Sequence, residues 1–348
     1  MTPHRSAGAS RRTCLELCSG AGGQALGLER AGFSHQLLIE LDSDACQTLR
    51  LNRPGWNVVQ ADIRSPAHFL DMGTAQPWLL AAGVPCPPFS LAGQQLGADD
   101  VRDLFPAVLK LIPAIKPRAV LIENVKGLLQ TKFSVYRGNI LRRLSALGYT
   151  AEWRLLYARD FGVPQLRPRS VLVALEPQAF ANFRWPSGNC SATAAALVGD
   201  VLRDSMASRG WELADTWAAQ AQRIAPTLCG GSTKHGGPDL GPSRARQAWA
   251  EIGVNGSSVA DHPPAPGDPL PVRLTLAQLA LLQGFPPEWA FAGRKTSAHR
   301  QVGNAFPPPV ACAVGRAIAA ALDQTDNYAR CTGSPHTGST GRMATRAI

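Results

Sequence analysis

Short runs of apolar residues alternate with longer amphipathic stretches between residues 13 and 175. Short apolar runs bounded by turn signals are typical of buried strands, whereas apolar residues three and four positions apart are typical of helices. This alternation predicts an open, mostly parallel α/β sheet with helices on both faces. The predicted strands are Leu15–Cys18, Leu37–Glu40, Val58–Val59, Leu79–Ala82, Ala119–Ile122 and Val171–Ala174. The predicted helices are one from about Gln24, then Asp44–Asn52, Asp103–Ile112 and Val135–Leu147.

The pattern changes between residues 186 and 272. Eleven glycines, many prolines and the lack of a sustained periodicity predict a separate loop-rich module here. Regular structure returns with predicted helices over Thr275–Gln283 and Pro309–Leu322. The predicted division is a disordered tail over 1–12, a main domain over 13–185, the module over 186–272, a return segment over 273–323 that completes the main domain, and a second disordered tail over 324–348.

Composition narrows the class of protein. Of the 348 residues, 45% are hydrophobic and 17% are charged, which is typical of a globular chain and excludes wholesale disorder. The apolar stretches are shorter than the ~20 residues of a membrane span, and Glu16 interrupts any secretory signal. We therefore expect a protein that acts inside the cell and not in a membrane.

Charge and cysteine usage add two further limits. The formal net charge of +10 permits a nucleic-acid partner without requiring one, because residues 186–272 carry a net charge of −2. The eight cysteines include no Cys-x-x-Cys pair and no metal-like spacing with the seven histidines. We therefore predict neither a metal site nor a disulfide framework.

A nucleoside-binding site is predicted at the carboxyl ends of the first three strands. Gly20, Gly22 and Gly23 follow the first strand and precede a helix, so that backbone and ligand can approach closely. Glu40 ends the second strand, where it could accept hydrogen bonds from ribose hydroxyls. Asp62 follows the third, where it could meet an adenine amino group. This pattern alone fits NAD as well as S-adenosylmethionine.

Three further segments carry chemically reactive residues. Cys86 lies in the proline-rich segment Gly83-Val-Pro-Cys-Pro-Pro-Phe-Ser90, which stiffens the loop around its thiol. Glu123 and Asn124 end another strand, and Arg167 and Arg169 precede the next. Each segment alone is more typical of structure than of function: a buried cysteine, a surface acid and a solvated strand edge.

The order of these segments resembles the DNA cytosine-5 methyltransferases of bacterial restriction–modification systems. The resemblance covers residues 13–323, with the module between the double-arginine motif and the last two motifs. Two departures are Pro87, where the family usually has glutamine, and Cys18, where it commonly has phenylalanine. The motifs are Gly20-x-Gly22-Gly23, Pro85-Cys86, Glu123-Asn124-Val125, Gln165-x-Arg167-x-Arg169, Arg273-Leu-Thr275 with Gln283-Gly-Phe-Pro286, and Gln301-Val-Gly-Asn304.

The resemblance implies a catalytic mechanism. The thiolate of Cys86 would add to C6 of a cytosine flipped out of the duplex, which activates C5 toward a methyl sulfonium. Glu123 would hold N3 and the 4-amino group, and Arg167 with Arg169 would surround O2. Asn124 would brace the loop that carries Cys86.

The resemblance also implies S-adenosylmethionine as cofactor, on a Rossmann-like methyltransferase sheet. Its ribose would lie on Glu40, its adenine near Asp62 and Ile63, and its methionine end against Asn304. The predicted cofactor-binding residues are Cys18, Gly20, Gly22, Gly23, Glu40, Leu41, Asp62, Ile63, Pro85 and Asn304.

Double-stranded DNA is the implied partner, and the module over 186–272 would be its target-recognition domain. Within the segment Gly230–Gly241 and the residues after it, the candidate readers of DNA are Lys234, His235, Arg244 and Arg246. The resemblance further implies a monomer in the bacterial cytoplasm, in some cases accompanied by a restriction endonuclease that acts on the same site.

Three alternatives stay open at this point. A tRNA cytosine-5 methyltransferase would share the catalytic motifs, although the long module favours a DNA substrate. A nicotinamide-dependent oxidoreductase would share the glycine turn and Glu40 but would leave Cys86, Glu123 and the arginines unexplained. A DNA-binding relative without activity is disfavoured by the intact Cys86, Glu123 and Arg167.

Overall fold

The structure of the chain is a computed structural model that describes residues 12–70, 76–85, 103–188, 196–230 and 237–332. Short apolar runs form strands and amphipathic stretches form helices, as predicted. The strands are β1 Thr13–Leu17, β2 Ser34–Glu40, β3 Val58–Gln60, β4 Leu79–Gly83, β5 Ala119–Val125, β6 Thr150–Tyr157 and β7 Pro168–Leu175. The helices of the main domain are α1 Gly23–Arg30, α2 Ser43–Asn52, α3 Ala67–Leu70, α4 Phe105–Ile115, α5 Ser134–Ala146 and α6 Pro177–Asn182.

The strands form one sheet in the order β3-β2-β1-β4-β5-β7-β6. The five strands from β3 to β5 are parallel, and β7 runs antiparallel to both β5 and β6. The predicted mostly parallel sheet is thus confirmed, with β6 as an additional edge strand. Because β7 is reversed, its first residues lie at the same edge of the sheet as the carboxyl ends of β1, β4 and β5. That edge is where an open α/β sheet binds its ligands.

Apolar side chains fill both faces of the sheet. On one face, Leu28 of α1 packs with buried residues of the C-terminal helix, such as Ile318. On the other face, Phe105 and Ile112 of α4 pack with buried residues such as Leu15. With both faces covered, the polar groups at the ends of the strands are the ones left to meet a ligand.

Residues 186–272 contain more helix than their composition predicts. In the described part of this module, the helices are α7 Val198–Ala207, α8 Ala214–Gln220 and α9 Ser243–Ala250. Trp217 and Trp249 are fully buried, and they belong to one apolar cluster with Leu279 and Val302 of the return segment. The module therefore shares its core with the last part of the chain.

The return segment forms α10 Leu276–Leu282, α11 Lys295–Asn304 and α12 Pro308–Thr332. The prediction that a disordered tail begins at residue 324 is wrong for the first part of that tail, because α12 continues to Thr332. Asp326 in this extension bonds Arg118 at 2.6 Å, and Asp323 just before it bonds Arg12 at 2.5 Å.

One helical stretch among the described residues, Lys295–Tyr328, is long and apolar enough by composition to cross a membrane. Inside the protein, 72% of its apolar window is buried. A core helix of a globular protein has these properties, and α12 packs on α1 and the sheet in that way.

Candidate active site

The glycine turn follows β1 and leads into α1. Its backbone has positive φ angles at Cys18 (53°), Gly20 (53°) and Gly22 (85°), a conformation that L side chains rarely adopt. Trp289 stabilises the turn, because its indole Nε1 donates a hydrogen bond to the carbonyl oxygen of Ala21 at 3.2 Å. A Cβ on Gly22 would lie 2.7 Å from Leu49 Cδ2, so the turn is also packed tightly against α2.

Glu40 joins the glycine turn to the end of β2. Its carboxylate accepts hydrogen bonds from the backbone N–H groups of Gly20 (2.7 Å), Leu41 (2.9 Å) and Asp42 (2.8 Å). Burial raises the pKa of Glu40, and these hydrogen bonds act in the opposite direction. A carboxylate has about four acceptor positions, so Glu40 keeps capacity for a hydroxyl. Leu41 beside it is 60% exposed and offers an apolar surface.

Two more predicted cofactor residues lie at this edge, beside an unpredicted one. Arg64 Nε donates to both carboxylate oxygens of Asp62 at 3.0 Å, and this contact lowers the pKa of Asp62. Ile63 is buried. An adenine amino group at Asp62 would therefore share the carboxylate with Arg64. The sequence analysis did not identify Arg64 as part of this site.

Cys18 lies close to both acids. Burial raises the pKa of its thiol, and the charges of Glu40 and Asp62 raise it further. The thiol is therefore neutral, and Cys18 contributes a small apolar wall. The structure thus brings the glycine turn, Cys18, Glu40 and Asp62 together, as the sequence predicted for a nucleoside site.

A second group of polar residues lies at the end of β5. Arg169 Nε forms an ion pair with Glu123 Oε1 at 2.7 Å, and the two side chains are almost completely buried. Antiparallel pairing places them together, because Val125 lies opposite Arg169 and Glu123 lies opposite Val171. Burial raises the pKa of Glu123, and the charges of Arg169 and Arg167 oppose that rise. The carboxyl is thereby held in place while its proton affinity is raised.

Asn124 connects this pair to the segment before Cys86. Its Nδ2 donates to the carbonyl oxygen of Val84 at 3.3 Å, and its Oδ1 accepts from the backbone N–H of Val125 at 2.9 Å. Pro85 follows at the surface. Cys86 lies outside the described residues. The chain that leads to Cys86 is therefore tied to the strand end that carries Glu123.

Arg167 has a different environment from the one the sequence suggested. Its guanidinium is fully buried and donates to the carbonyl oxygens of Leu228 (2.8 Å), Gly303 (2.7 Å) and Ala305 (2.8 Å). Arg169, and not Arg167, makes the ion pair with Glu123. The prediction that both arginines surround O2 of the base is therefore wrong for Arg167. The contacts of Arg167 instead join the main domain to the module and to the return segment.

Two glutamines complete this buried junction. Gln165 Oε1 accepts from the backbone N–H of Leu228 at 2.8 Å, and its Nε2 donates to Gln283 Oε1 at 2.6 Å. Gln283 Nε2 donates in turn to the carbonyl oxygens of Val302 (3.0 Å) and Ala305 (2.9 Å). Both glutamines stand in motifs that the sequence singled out, but only the structure reveals what they bind.

The remaining predicted residues are Asn304, Arg244, Arg246, Lys234 and His235. Asn304 is exposed at the end of α11, close to Gly230. Arg244 and Arg246 are exposed on α9. Lys234 and His235 lie outside the described residues, so the structure places neither of them.

One buried polar cluster lies beneath the glycine turn. Glu16 and His35 bond each other at 3.3 Å, and burial raises the pKa of Glu16. Together with Cys14 they bring three potential ligand atoms within 4.8 Å of one another. The cluster is enclosed between the sheet and α1, and the Glu16–His35 bond already uses two of the atoms. We assign it a structural role.

Comparison with known proteins identifies the family. The family model described as "C-5 cytosine-specific DNA methylase" matches residues 12–320. The chain is 56% identical over 312 residues to the Type II methyltransferase M.NaeI of Lentzea aerocolonigenes, which covers 89% of this chain and 75% of that protein. It is 49% identical to M.NgoMIV of Neisseria gonorrhoeae, over 89% of this chain and 98% of that one.

This chain belongs to the C-5 cytosine-specific DNA methylase family. Its fold is shared with Spodoptera frugiperda DNMT2, with a TM-score of 0.60 and 16% sequence identity over 88% of this chain and 99% of that one. The matches support DNA cytosine methylation over the tRNA and nicotinamide alternatives. S-adenosylmethionine is the methyl donor of this family, and the open side of Gly20, with Glu40 beside it, suits that group.

Replacing Gly20 by alanine should weaken binding of S-adenosylmethionine more than it weakens the fold. A Cβ at Gly20 meets no atom of the described residues within 4 Å, so its methyl group would enter the space proposed for the cofactor. An added clash of ~1.4 kcal/mol or more lowers affinity about tenfold or more. Calorimetric titration with the cofactor measures this loss.

Gly148→Ala is the matched control for Gly20→Ala. Gly148 also has a positive φ (90°) and open space around it, but it lies between α5 and β6. Both variants should lose about 1–2 kcal/mol of unfolding free energy through backbone strain. Equal cofactor affinity in the two variants would show that Gly20 does not face the cofactor.

Proposed function

We propose that this enzyme methylates C5 of one cytosine within a specific double-stranded DNA sequence, with Cys86 as nucleophile and Glu123 and Arg169 at the base. The observation that carries this assignment is the buried Glu123–Arg169 ion pair, 2.7 Å long, at the edge of the sheet where ligands bind. Asn124 links that pair to the chain leading to Cys86, through its contact with Val84.

Cys86 supplies the nucleophile. C5 of cytosine attacks a methyl donor poorly, and a thiolate that adds to C6 gives the ring an enamine character that activates C5. The electron pair of the C5–C6 double bond moves into the C4–C5 bond, and the pair of the C4–N3 double bond moves onto N3, which takes up a proton. After C5 has gained the methyl group, loss of the C5 proton expels the thiolate from C6, and loss of the N3 proton restores the neutral ring.

Glu123 and Arg169 act on the other side of the ring. A protonated Glu123 donates to N3 as C6 is attacked, and the raised pKa of this carboxyl keeps the proton available closer to neutral pH. Arg169 fixes the carboxyl through the ion pair and offers its remaining donors to O2. Arg167 takes a positioning role, because its two terminal nitrogens bond three carbonyl oxygens, one in the module and two at the end of α11.

S-adenosylmethionine supplies an electrophilic methyl group when it is bound. Glu40 would hold the ribose hydroxyls, and Leu41 and Ile63 would flank the adenine. Asp62 would accept from the adenine amino group, while Cys18 closes the apolar side. Backbone N–H groups at the start of α1 favour the carboxylate end, and Pro85 and Asn304 would complete the site.

A base within a duplex cannot reach Glu123, so the target cytosine must leave the stack. Residues 186–272 would read the flanking bases, because the reacting groups all lie outside this range. Arg244 and Arg246 are exposed on α9 and available to DNA. Lys234 and His235 remain predicted contacts of the same module.

We also propose that the enzyme protects DNA in a restriction–modification system. The relatives M.NaeI and M.NgoMIV are named as Type II methyltransferases, and the chain spans 75% and 98% of their lengths. A cognate endonuclease would act on the same site without binding stably to this chain. The enzyme would act as a monomer in the bacterial cytoplasm.

The target sequence would be the one that M.NaeI methylates. The 56% identity extends over 89% of this chain, so most of the module that reads DNA lies within the match. M.NgoMIV matches over the same share at 49%. M.Sau96I of Staphylococcus aureus is 31% identical over 89% of this chain, and we expect it to act at another sequence, because the module should differ most between relatives with different targets.

DNA methylated beforehand by M.NaeI should accept no further methyl groups from this enzyme. The measurement is incorporation of tritium from labelled S-adenosylmethionine into plasmid DNA that carries sites for both relatives. DNA methylated beforehand by M.Sau96I is the control and should still be labelled. Undiminished labelling after M.NaeI treatment would contradict a shared target, whereas no labelling of untreated DNA would contradict the proposed function itself.

A further inference from the structure

Two glycines form a close backbone crossing between the module and the return segment. Cys229–Gly230 of the module passes over Gly303–Asn304 at the end of α11. A Cβ on Gly303 would lie 2.5 Å from the carbonyl carbon and oxygen of Cys229 and from Cα of Gly230. These atoms are backbone and cannot rotate away. We call this contact the glycine crossing.

Gly303 is needed at the crossing for its size and not for its backbone angles. It is the second-last residue of α11, and neither it nor Gly230 has a positive φ. A position with helical backbone angles does not require glycine, so the close approach of Cys229 accounts for glycine here.

On the other side of the crossing, Gly230 packs against the side chain of Asn304. A Cβ on Gly230 would overlap the side-chain oxygen of Asn304 and lie 2.8 Å from its Cγ. Asn304 is the residue assigned to the methionine end of the cofactor. Gly230 of the module is thus in direct contact with Asn304, a predicted cofactor-binding residue.

Arg167 holds both sides of the crossing together. Nη1 of its guanidinium donates to the carbonyl oxygen of Leu228, just before the crossing, and Nη2 donates to the carbonyl oxygens of Gly303 and Ala305. The group is fully buried, and removing it would leave three carbonyl oxygens without that donor. Arg167 also lies near enough to Glu123 for its charge to lower the pKa of that carboxyl. One side chain therefore links the module, α11 and the catalytic acid.

We propose that the glycine crossing is a positioning element that sets the module against the catalytic site, so that the base chosen by the module reaches Glu123. Gly303 is its key residue. The inference rests on the proposed function, because it assumes that residues 186–272 select the base. It adds that recognition and chemistry are coupled through Cys229–Gly230 and α11.

Gly303→Ala tests the proposal. The added methyl group pushes Cys229–Gly230 away from α11 and displaces the module relative to Glu123. Misplacement by about 1 Å can cost on the order of 100-fold in rate, so we expect kcat on duplex DNA to fall by about 10–100-fold. Affinity for S-adenosylmethionine without DNA should be unchanged, since the helix that carries Asn304 is kept.

A second readout follows the base itself. A duplex with 2-aminopurine in place of the target cytosine, at the site mapped for the wild-type enzyme, becomes fluorescent when that base leaves the stack. We expect Gly303→Ala to bind this duplex but to give a smaller fluorescence increase than wild type, without cofactor present. A role in folding alone would not separate binding from base extrusion.

Gly138→Ala is the matched control. Gly138 also lies in a helix, α5, and within the described part of the chain a Cβ there would meet only Arg142 Nη1, at 3.5 Å. This variant should keep wild-type kcat, fluorescence and cofactor affinity. Wild-type kcat and fluorescence in Gly303→Ala would overturn the proposal while leaving the proposed function intact, whereas an unmethylated product with the wild-type enzyme would count against the function.

Gly230→Ala keeps the proposal testable if Gly303→Ala does not fold. Its Cβ meets the end of a side chain, so the clash is removed when Asn304 is shortened to alanine. We expect the combined variant to extrude 2-aminopurine better than Gly230→Ala alone, a non-additive result that only residues in contact produce. Strictly additive losses, or a loss of cofactor affinity that fully explains the fall in rate, would overturn the proposed coupling.

Discussion

Cys86→Ser should abolish methyl transfer while leaving DNA binding largely intact. A serine alkoxide at neutral pH is far scarcer than a cysteine thiolate, so the addition to C6 that activates C5 is lost. The expected fall exceeds about 100-fold, since losing a catalytic nucleophile costs more than losing a general acid, which is worth about 10²–10⁴-fold. Tritium transfer from labelled S-adenosylmethionine measures the rate, and gel-shift titration measures DNA binding.

Cys331→Ser is the control for Cys86→Ser. Cys331 is exposed near the end of α12 and belongs to none of the groups placed in the site or in the glycine crossing. The same change of sulfur to oxygen there should leave the rate close to wild type. A Cys86→Ser enzyme that kept more than about a hundredth of the wild-type rate would contradict the covalent mechanism.

Glu123→Gln should slow catalysis by about 10²–10⁴-fold, the usual scale for losing a general acid. Glutamine keeps the size of the side chain but has no acidic proton to transfer to N3, and it loses the ion pair with Arg169. Affinity for S-adenosylmethionine should change little, because Glu40 and the glycine turn lie at other strand ends. Single-turnover rates with saturating DNA separate the two effects.

The pH profile gives a second test of Glu123. Burial raises its pKa, so the protonated form that donates to N3 is present below that raised pKa and is lost as pH rises through it. The wild-type rate should therefore have a limb that descends with pH, and Glu123→Gln should lack it. An unchanged descending limb in the variant, or a loss confined to cofactor affinity, would show that Glu123 has another role.

Much of the fold follows from the sequence, because buried strands and amphipathic helices differ in the spacing of their apolar residues. The edge strand β6 was missed. Its residues Thr150–Tyr157 alternate between exposed and half-buried positions and carry Glu152 and Arg154, so no continuous apolar run marks them. In the module, Val198, Leu202 and Met206 recur every four residues and are all buried in α7. Frequent glycine and proline on either side obscured that helical pattern.

The sequence predicted the site residues that lie at the ends of strands. It did not predict the hydrogen bonds that side chains form with backbone groups far away in the sequence. Strand order brings Glu123 beside Arg169 and Glu40 beside Gly20, as the sequence suggested. The partners of Arg167 are carbonyl oxygens at residues 228, 303 and 305, which carry no side-chain signal. The role of Arg167 could therefore be found only from the three-dimensional structure.

Bisulfite sequencing of DNA from cells that express this enzyme tests the central claim most directly. 5-Methylcytosine resists conversion, so we predict protected cytosines at one position of a single short sequence, and full conversion when Cys86→Ser is expressed instead. Complete conversion with the wild-type enzyme, or protection that persists with Cys86→Ser, would contradict site-specific methylation of cytosine C5 through Cys86.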